Sequence, residues 1–328
     1  MNLNQENNLI ELYFSCLRIR MIEEEIAKRY SEQEMRCPTH LSIGQELAGA
    51  VIGQVAKMTD HAFSTHRSHA HYLGKGGCLK KMLAEIYGKS TGCCKGMGGS
   101  MHLRDPEVGF EASTAIVGNS IPLGVGDALA SKIAANNNIS IVFVGDAVFE
   151  TGVFYESLNI AATFKVPILF VCENNLYSVY SPLEVRQPAS RKNYKIVEKM
   201  GIKSEFVDGM DPIQVMTSMA KAVKYCRENT EPMFIEMSAY RWREHCGPNY
   251  DNDIGYRDEK EYEHWRSRDY LASLEKVLKQ STKIDSDMIN TKEESIMLEI
   301  SKAFEFAKTS PYQNLHSPFN LEYHEKVI

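Results

Sequence analysis

An acid, Asp146, directly follows the apolar run "IVFVG" (141–145), and the triplet Glu173-Asn174-Asn175 follows a second run, "ILFVC" (168–172). Each run reads as a buried strand. Between them "GVFYESLNIAATF" (152–164) reads as a helix that returns the chain. Both strand tips then lie on one rim of a sheet, where ligands of open α/β folds bind. A carboxylate and an amide oxygen converging there suit a hard cation such as Mg²⁺, which takes oxygen ligands and commonly brings phosphate oxygens with it. Each group also has a simpler use: Asp146 could cap the following helix and the asparagines could form a turn. A second stretch, 59–112, is dense in His, Gly, Cys and Met and holds "HRSHAHYLGKGG" and "KGMGGSMHL". Glycine-rich polar segments of this length are usually functional loops. His66, His69 and His71 could be imagined as a zinc cluster, but cysteines at ligand spacing are lacking.

The elements that must position these groups are legible around them. Helical apolar spacing predicts a long amphipathic helix over 8–30 and a second over 42–58, with Ser42 as a candidate N-cap. "IPLGVGDALASKIAANNN" (121–138) predicts a helix of small residues able to press close against a sheet or another subunit. From residue 139 strands and helices alternate: "ISIVFVGD", "VPILFVCENN", "EFVDG" and "PMFIEMSAYR" as strands, with "DPIQVMTSMAKAVKYCREN" as a helix. Continuous apolar strands separated by helices imply an α/β fold, a parallel sheet with helices on both faces. The chain reads as a single domain over 1–328, with N-terminal helices (1–58) and a charged, helical C-terminal segment (257–328) packed on the core.

Composition narrows the function. With 328 residues, 43% of them hydrophobic, the chain can bury a sizeable core. A net charge of −6 argues against a nucleic-acid surface. No apolar stretch reaches the roughly 18 residues of a membrane span. The start "MNLNQENNLIELY" has neither a signal-peptide pattern nor transit-peptide arginines. Eight cysteines without a CxxC pair read as reduced, buried thiols. A cytoplasmic enzyme is the expectation.

The GD pair at 145–146, one helix and one strand, and then the NN pair at 174–175 resemble the thiamine-diphosphate motif. Around it, "HLSIGQE" (40–46), "HRSHAHYL" (66–73), "KGMGGSMHL" (95–103), "AIVGNSIPLGVG" (115–126), "FYESLNIAA" (154–162), "ENNLYSVYSP" (173–182) and "YRWREHCGP" (240–248) fall in the order of one family. Over nearly its whole length the chain resembles the alpha subunit of the thiamine-diphosphate-dependent first component of 2-oxo acid dehydrogenase complexes, the pyruvate, branched-chain and acetoin dehydrogenase group.

That resemblance implies the thiamine-diphosphate-binding fold, with thiamine diphosphate and Mg²⁺ as cofactors. Asp146, the Asn175 side chain and the Tyr177 backbone oxygen would hold the metal. Arg67 would contact the diphosphate, with His66 beside it where the family usually has tyrosine. Ala147 replaces the usual glycine of GDG, a change tolerable if its φ is negative. Val148 and Val117 would offer backbone contacts, and Val179 matches the apolar wedge that bends the cofactor, although a core valine fits that position equally well. His40 matches a histidine of the cofactor and substrate channel, or else is a polar helix-entry residue. His69 and His245 would carry protons; His71 has no counterpart and reads as structural. Cys246 takes the family's serine position, so control by phosphorylation there does not carry over. The "KGMGGSMH" loop would wall the substrate entrance or make a subunit contact.

The reaction implied is decarboxylation of a small 2-oxo acid with transfer of the acyl group to a lipoyl acyltransferase component. The glutamate that activates the cofactor would come from a beta subunit, in an assembly of two alpha and two beta chains, and not from Glu150 or Glu156. Two other readings stay open: a transketolase-like carboligase that delivers the fragment to an aldehyde, and a noncatalytic scaffold subunit.

Overall fold

The computed structural model describes residues 3–35, 37–281 and 283–313. The chain opens with helix α1 (Leu3–Arg29) and, after a loop, helix α2 (Glu46–Val55). Strand β1 (His61–Ser64), helices α3 (His69–Gly74) and α4 (Leu79–Ile86), strand β2 (Phe110–Ser113) and helix α5 (Ser120–Ala134) follow. Then come β3 (Ser140–Gly145), α6 (Gly152–Phe164), β4 (Ile168–Asn174), the short pair β5 (Tyr177–Ser178) and β6 (Ser181–Pro182), and α7 (Leu183–Arg186). The chain continues through α8 (Asn193–Lys199), β7 (Lys203–Val207), α9 (Pro212–Asn229) and β8 (Met233–Ser238) to three last helices, α10 (Glu259–Arg266), α11 (Tyr270–Gln280) and α12 (Ser286–Thr309).

Six strands form one parallel sheet in the order β2-β1-β3-β4-β8-β7. The two apolar runs of the sequence are its central strands, and pleating divides them between two cores. Ile141, Phe143, Leu169 and Val171 face a layer built on α1, α2, α9 and α12, whereas Val142, Val144, Ile168 and Phe170 face α5 and α6. Burial on both faces explains why these strands read as unbroken apolar runs. Helix α5 comes so close that a Cβ on Gly124 would lie 2.2 Å from a Val142 methyl, which accounts for its small residues. The C-terminal helices pack back on the start of the chain, α11 against α1 and α12 against α1 and α4. Residues 314–328 of the expected C-terminal segment lie outside the described residues.

The segment 59–112, expected to be loops, holds two strands and two helices besides its loops. β1 and β2 are only four residues long, too short for alternation to stand out from their glycine- and histidine-rich surroundings. Ser42 does not cap α2. The helix begins four residues later, and the Ser42 N–H donates instead to buried Glu23 at 2.6 Å. The cysteines are all free, but not all buried: Cys78 and Cys246 are exposed.

Helices α2 and α3 meet through glycines. A Cβ on Gly49 would stand 2.3 Å from the Ala70 carbonyl oxygen, and one on Gly53 2.2 Å from that of Gly74. This backbone contact sets where the turn before α3, carrying His66 and Arg67, lies against the segment carrying His40. Gly49→Ala should therefore destabilise the fold by about 1–3 kcal/mol. Gly126→Ala in α5, where a Cβ meets nothing within 4 Å, should be neutral or stabilising by up to about 1 kcal/mol. Urea unfolding of the two variants checks the pair.

Candidate active site

The ends of β3 and β4 open into a cavity of about 290 Å³, close to the lower bound of roughly 300 Å³ for small-molecule sites. Asp146, Ala147, Val148, Asn175, Tyr177, Val179, Val117, Arg67, His40, His66 and His245 all line it. Parallel pairing aligns Gly145 with Glu173 and Cys172 with Val144, so the two strands end level and their polar tips share one rim.

Asp146 does not cap a helix. It opens a 3₁₀ turn (Asp146–Glu150), and its buried carboxylate is ion-paired with Arg186 of α7, which also reaches Glu150 at 2.7 Å. Burial pushes the Asp146 carboxyl up, and the guanidinium opposes that rise. Arg186 was not foreseen, because nothing in its local sequence distinguishes it from a surface arginine. Ala147 lies inside this right-handed turn, outside the positive-φ residues, so its methyl is accommodated without strain.

The asparagine pair divides its work, as neighbours on a strand must. Asn174 turns inward to donate to Glu236 at 2.8 Å, and Asn175 faces the cavity, donating to Gln45 at 3.0 Å. The Asn175 oxygen accepts the Tyr177 N–H at 3.2 Å and keeps a second lone pair. Tyr177 is flanked by two bulky residues in the left-handed region, Leu176 (φ 72) and Val179 (φ 54). Such conformations cost about 1–3 kcal/mol each and cluster at ligand clamps. Val179 is 43% exposed and faces the cavity, which excludes the core-valine reading. Its carbonyl accepts from buried Arg241 at 2.7 Å, and Arg241 and Arg257 both pair with Asp251, so this network holds the loop that carries His245.

Across the cavity, Arg67 donates to the carbonyls of Leu41 (2.5 Å) and His245 (3.0 Å), and burial lowers its pKa to about 10. It is no surface charge. His40, His66 and His245 pack edge to face or tilted, with ring centroids 4.7 to 5.2 Å apart. Burial, then the Arg67 charge, depresses their pKa values to about 2, 3 and 3. They are neutral imidazoles here, not the near-neutral titrating groups expected of proton carriers.

His69 is not in the cavity wall. It is fully buried between Glu23, 2.7 Å from Nδ1, and Ser100, 2.8 Å from Nε2. Nδ1 donates to the carboxylate, and the Ser100 hydroxyl beside Nε2 has its oxygen 3.4 Å from the His40 backbone N–H, which it accepts. His69, which the resemblance cast as a proton carrier, thus stands behind the cavity wall and is linked to His40 through Ser100. His71 bonds Ser64 at 2.8 Å and stacks on Phe143, so His66, His69 and His71 do not converge on a zinc site. The "KGMGGSMH" loop is organised by buried Glu85, which accepts the N–H groups of Cys94, Gly96, Gly98 and Gly99 at 2.6 to 3.2 Å and so places Met101 in the wall.

The depressed histidines set an acid response. The native state refuses protons that the unfolded chain accepts at the ordinary value of 6.5, so this stability is complete above pH 6.5 and is lost progressively toward about pH 3. Urea midpoints should fall between pH 7.5 and pH 5, and His66→Gln should flatten that fall.

The chain is similar in sequence to known proteins over nearly its whole length. Residues 15–316 match the family model "Dehydrogenase E1 component". The pyruvate dehydrogenase E1 component subunit alpha of Rickettsia bellii is 33% identical over 305 residues, covering 93% of this chain and 92% of its own length. That of Rickettsia felis is 35% identical over 305 residues, covering 92% and 91%. The chloroplastic alpha-3 subunit of Arabidopsis thaliana is 32% identical over 308 residues, covering 92% of this chain and 71% of its own. None of the described helices is long and apolar enough to cross a membrane. A match over nearly the whole chain, to the family and to its alpha subunits, makes this chain a member of the dehydrogenase E1 component family, an alpha subunit of the thiamine-diphosphate-dependent 2-oxo acid dehydrogenases.

Proposed function

We propose that this chain holds thiamine diphosphate through Mg²⁺ at the tips of β3 and β4 and acts on a 2-oxo acid, pyruvate being the first to try, given the relatives' names. The observation that carries the reading is the convergence of Asp146 and Asn175 on one cavity that also holds Arg67. The donor set fits the ion: a buried carboxylate already matched by a cation, an amide oxygen with a free lone pair, and the neighbouring Tyr177 backbone. Arg186 bonds one oxygen of the Asp146 carboxylate, which leaves the other for the metal. Arg67 would neutralise diphosphate charge. Val148 and Val117 border the cavity for backbone contacts, and Val179 stands where an apolar wedge would press on the cofactor.

Thiamine diphosphate, when bound, supplies the electron sink that lets a 2-oxo acid lose carbon dioxide. The chain's own part is to orient and to shield. His40, His66 and His245 present neutral imidazoles that can donate or accept hydrogen bonds at the reacting end, and bound anionic charge would raise their basicity toward the range useful for proton transfer. His69 would keep His40 in place. A beta subunit would complete the site, giving two alpha and two beta chains with the activating glutamate on the beta side. A lipoyl acyltransferase would receive the acyl group. The chain would work as a single thiamine-diphosphate-binding unit in the cytoplasm.

Calorimetry with thiamine diphosphate and Mg²⁺, in the presence of the beta partner, tests the site. Asp146→Asn should lose Mg²⁺-dependent binding by about 100-fold or more while keeping its melting temperature within a few degrees; unchanged binding would overturn the assignment. Val179→Gly should relieve backbone strain and leave stability equal or higher, yet weaken cofactor binding. The chain without its partner should show no 2-oxo acid turnover, and acyl transfer to a lipoyl domain should appear when both chains are present.

A further inference from the structure

The glycine-rich loop after α4 carries two consecutive thiols, Cys93 and Cys94. Their sulfurs and one carboxylate oxygen of Glu85 all lie within 4.8 Å of one another. We propose that this pair is a modification site, a vicinal dithiol that a hydroperoxide oxidises to a reversible Cys93–Cys94 disulfide. Neither cysteine lines the cavity, so the site stands apart from the thiamine-diphosphate reading.

The two thiols are not equivalent. Cys93 packs against the core layer built on α1, α2, α9 and α12, whereas Cys94 is partly buried beside exposed Lys95. The S–H of Cys93 holds the Cys94 thiol below its ordinary pKa, and Arg104 adds to this against burial and Glu85. The same contact, then burial, holds Cys93 up. Cys94 is therefore the sulfur that loses its proton first, and the thiolate is the nucleophile. It attacks one oxygen of hydrogen peroxide, the O–O bond breaks, a sulfenic acid forms, and the departing oxygen leaves as water. The Cys93 sulfur then attacks the sulfenic sulfur, gives up its proton and expels the second oxygen as water. Two thiols lose two electrons and two protons, and one peroxide becomes two waters. A metal is a poorer occupant, because four backbone amides already take up the lone pairs of the Glu85 carboxylate.

Consecutive Cα atoms stand about 3.8 Å apart across a trans peptide, less than the roughly 4.4–6.8 Å that most disulfides span. A bond between neighbours is strained, and strained disulfides are the readily reduced ones. Closing it must also twist the Cys93–Cys94 peptide, whose N–H donates to buried Glu85 at 2.7 Å. That carboxylate also holds the amides of Gly96, Gly98 and Gly99, and Lys95 among them is in the left-handed region (φ 58). Gly98 lies so close that a Cβ on it would stand 3.2 Å from the Cys94 Cβ. Oxidation thus releases the loop that places Met101 in the cavity wall.

Trypsin cuts after Lys89 and Lys95, so residues 90–95 come away as one peptide with these two thiols and no other. The full-length chain, treated with one equivalent of hydrogen peroxide and alkylated before digestion, should yield this peptide unalkylated and lighter by two hydrogen atoms. Dithiothreitol should restore two alkylatable thiols. Cys93→Ser and Cys94→Ser should each abolish the product and Cys78→Ser should leave it, with circular dichroism confirming the fold of each variant. The Glu85-bound amides of the oxidised chain should exchange with deuterium about tenfold faster or more. Two free thiols after peroxide overturn the site, as does a 90–95 peptide joined to that of another cysteine. Oxidation of exposed Cys78 or Cys246 ahead of the pair overturns it too. Unchanged amide exchange in the disulfide form overturns the release of the loop.

Discussion

A carboxylate driven to the end of a buried strand loses most of its hydration and becomes a demand for positive charge. Asp146 is in that position: β3 is apolar on both faces, and its next residue emerges into a cavity bordered by the tip of β4. Arg186 answers the demand in this structure, and to reach it the chain must fold back after β4 through the small β5–β6 pair. The left-handed Leu176 and Val179 lie on that path. Charge at one strand tip and strain at the next are therefore parts of one arrangement.

The walls around this carboxylate are made rigid by buried polar groups rather than by apolar packing. Glu23 ties α1 to Ser42 and His69, Glu85 gathers four loop amides, and Asp251 clamps two arginines. Such groups add little net stability compared with apolar replacements, yet removing one partner leaves an uncompensated buried charge. Their effect is to hold loops, which have no repeating hydrogen-bond pattern of their own, in a single geometry. An active site assembled from loops needs that support.

Membership of the dehydrogenase E1 component family accounts for the emphasis on positive charge and neutral imidazole. Arg67 lines a cavity whose three histidines are held neutral by burial, an environment favourable to a polyanion. The cavity is lined by imidazoles whose protonation would follow the charge of whatever occupies it.

The central strands, the helices α1, α5, α6 and α9 and the metal-type donors Asp146 and Asn175 were readable from residue order, because two-residue and helical periodicities are local properties. Ordered motifs extended that reading to His40, His66, Arg67, Val117, Val179 and His245, all of which line the cavity. The partners of those groups were not readable. Arg186 meets Asp146 across 40 positions, Gln45 meets Asn175 across 130, and Arg67 meets His245 across 178. His69 stood one helical turn from His66 in the sequence, but folding turned it toward Glu23. The protonation state of the histidines likewise depended on burial. Local patterns encode which side chains can do chemistry, whereas contacts between distant segments decide what each one faces, because desolvation and Coulomb forces act through space and not along the chain.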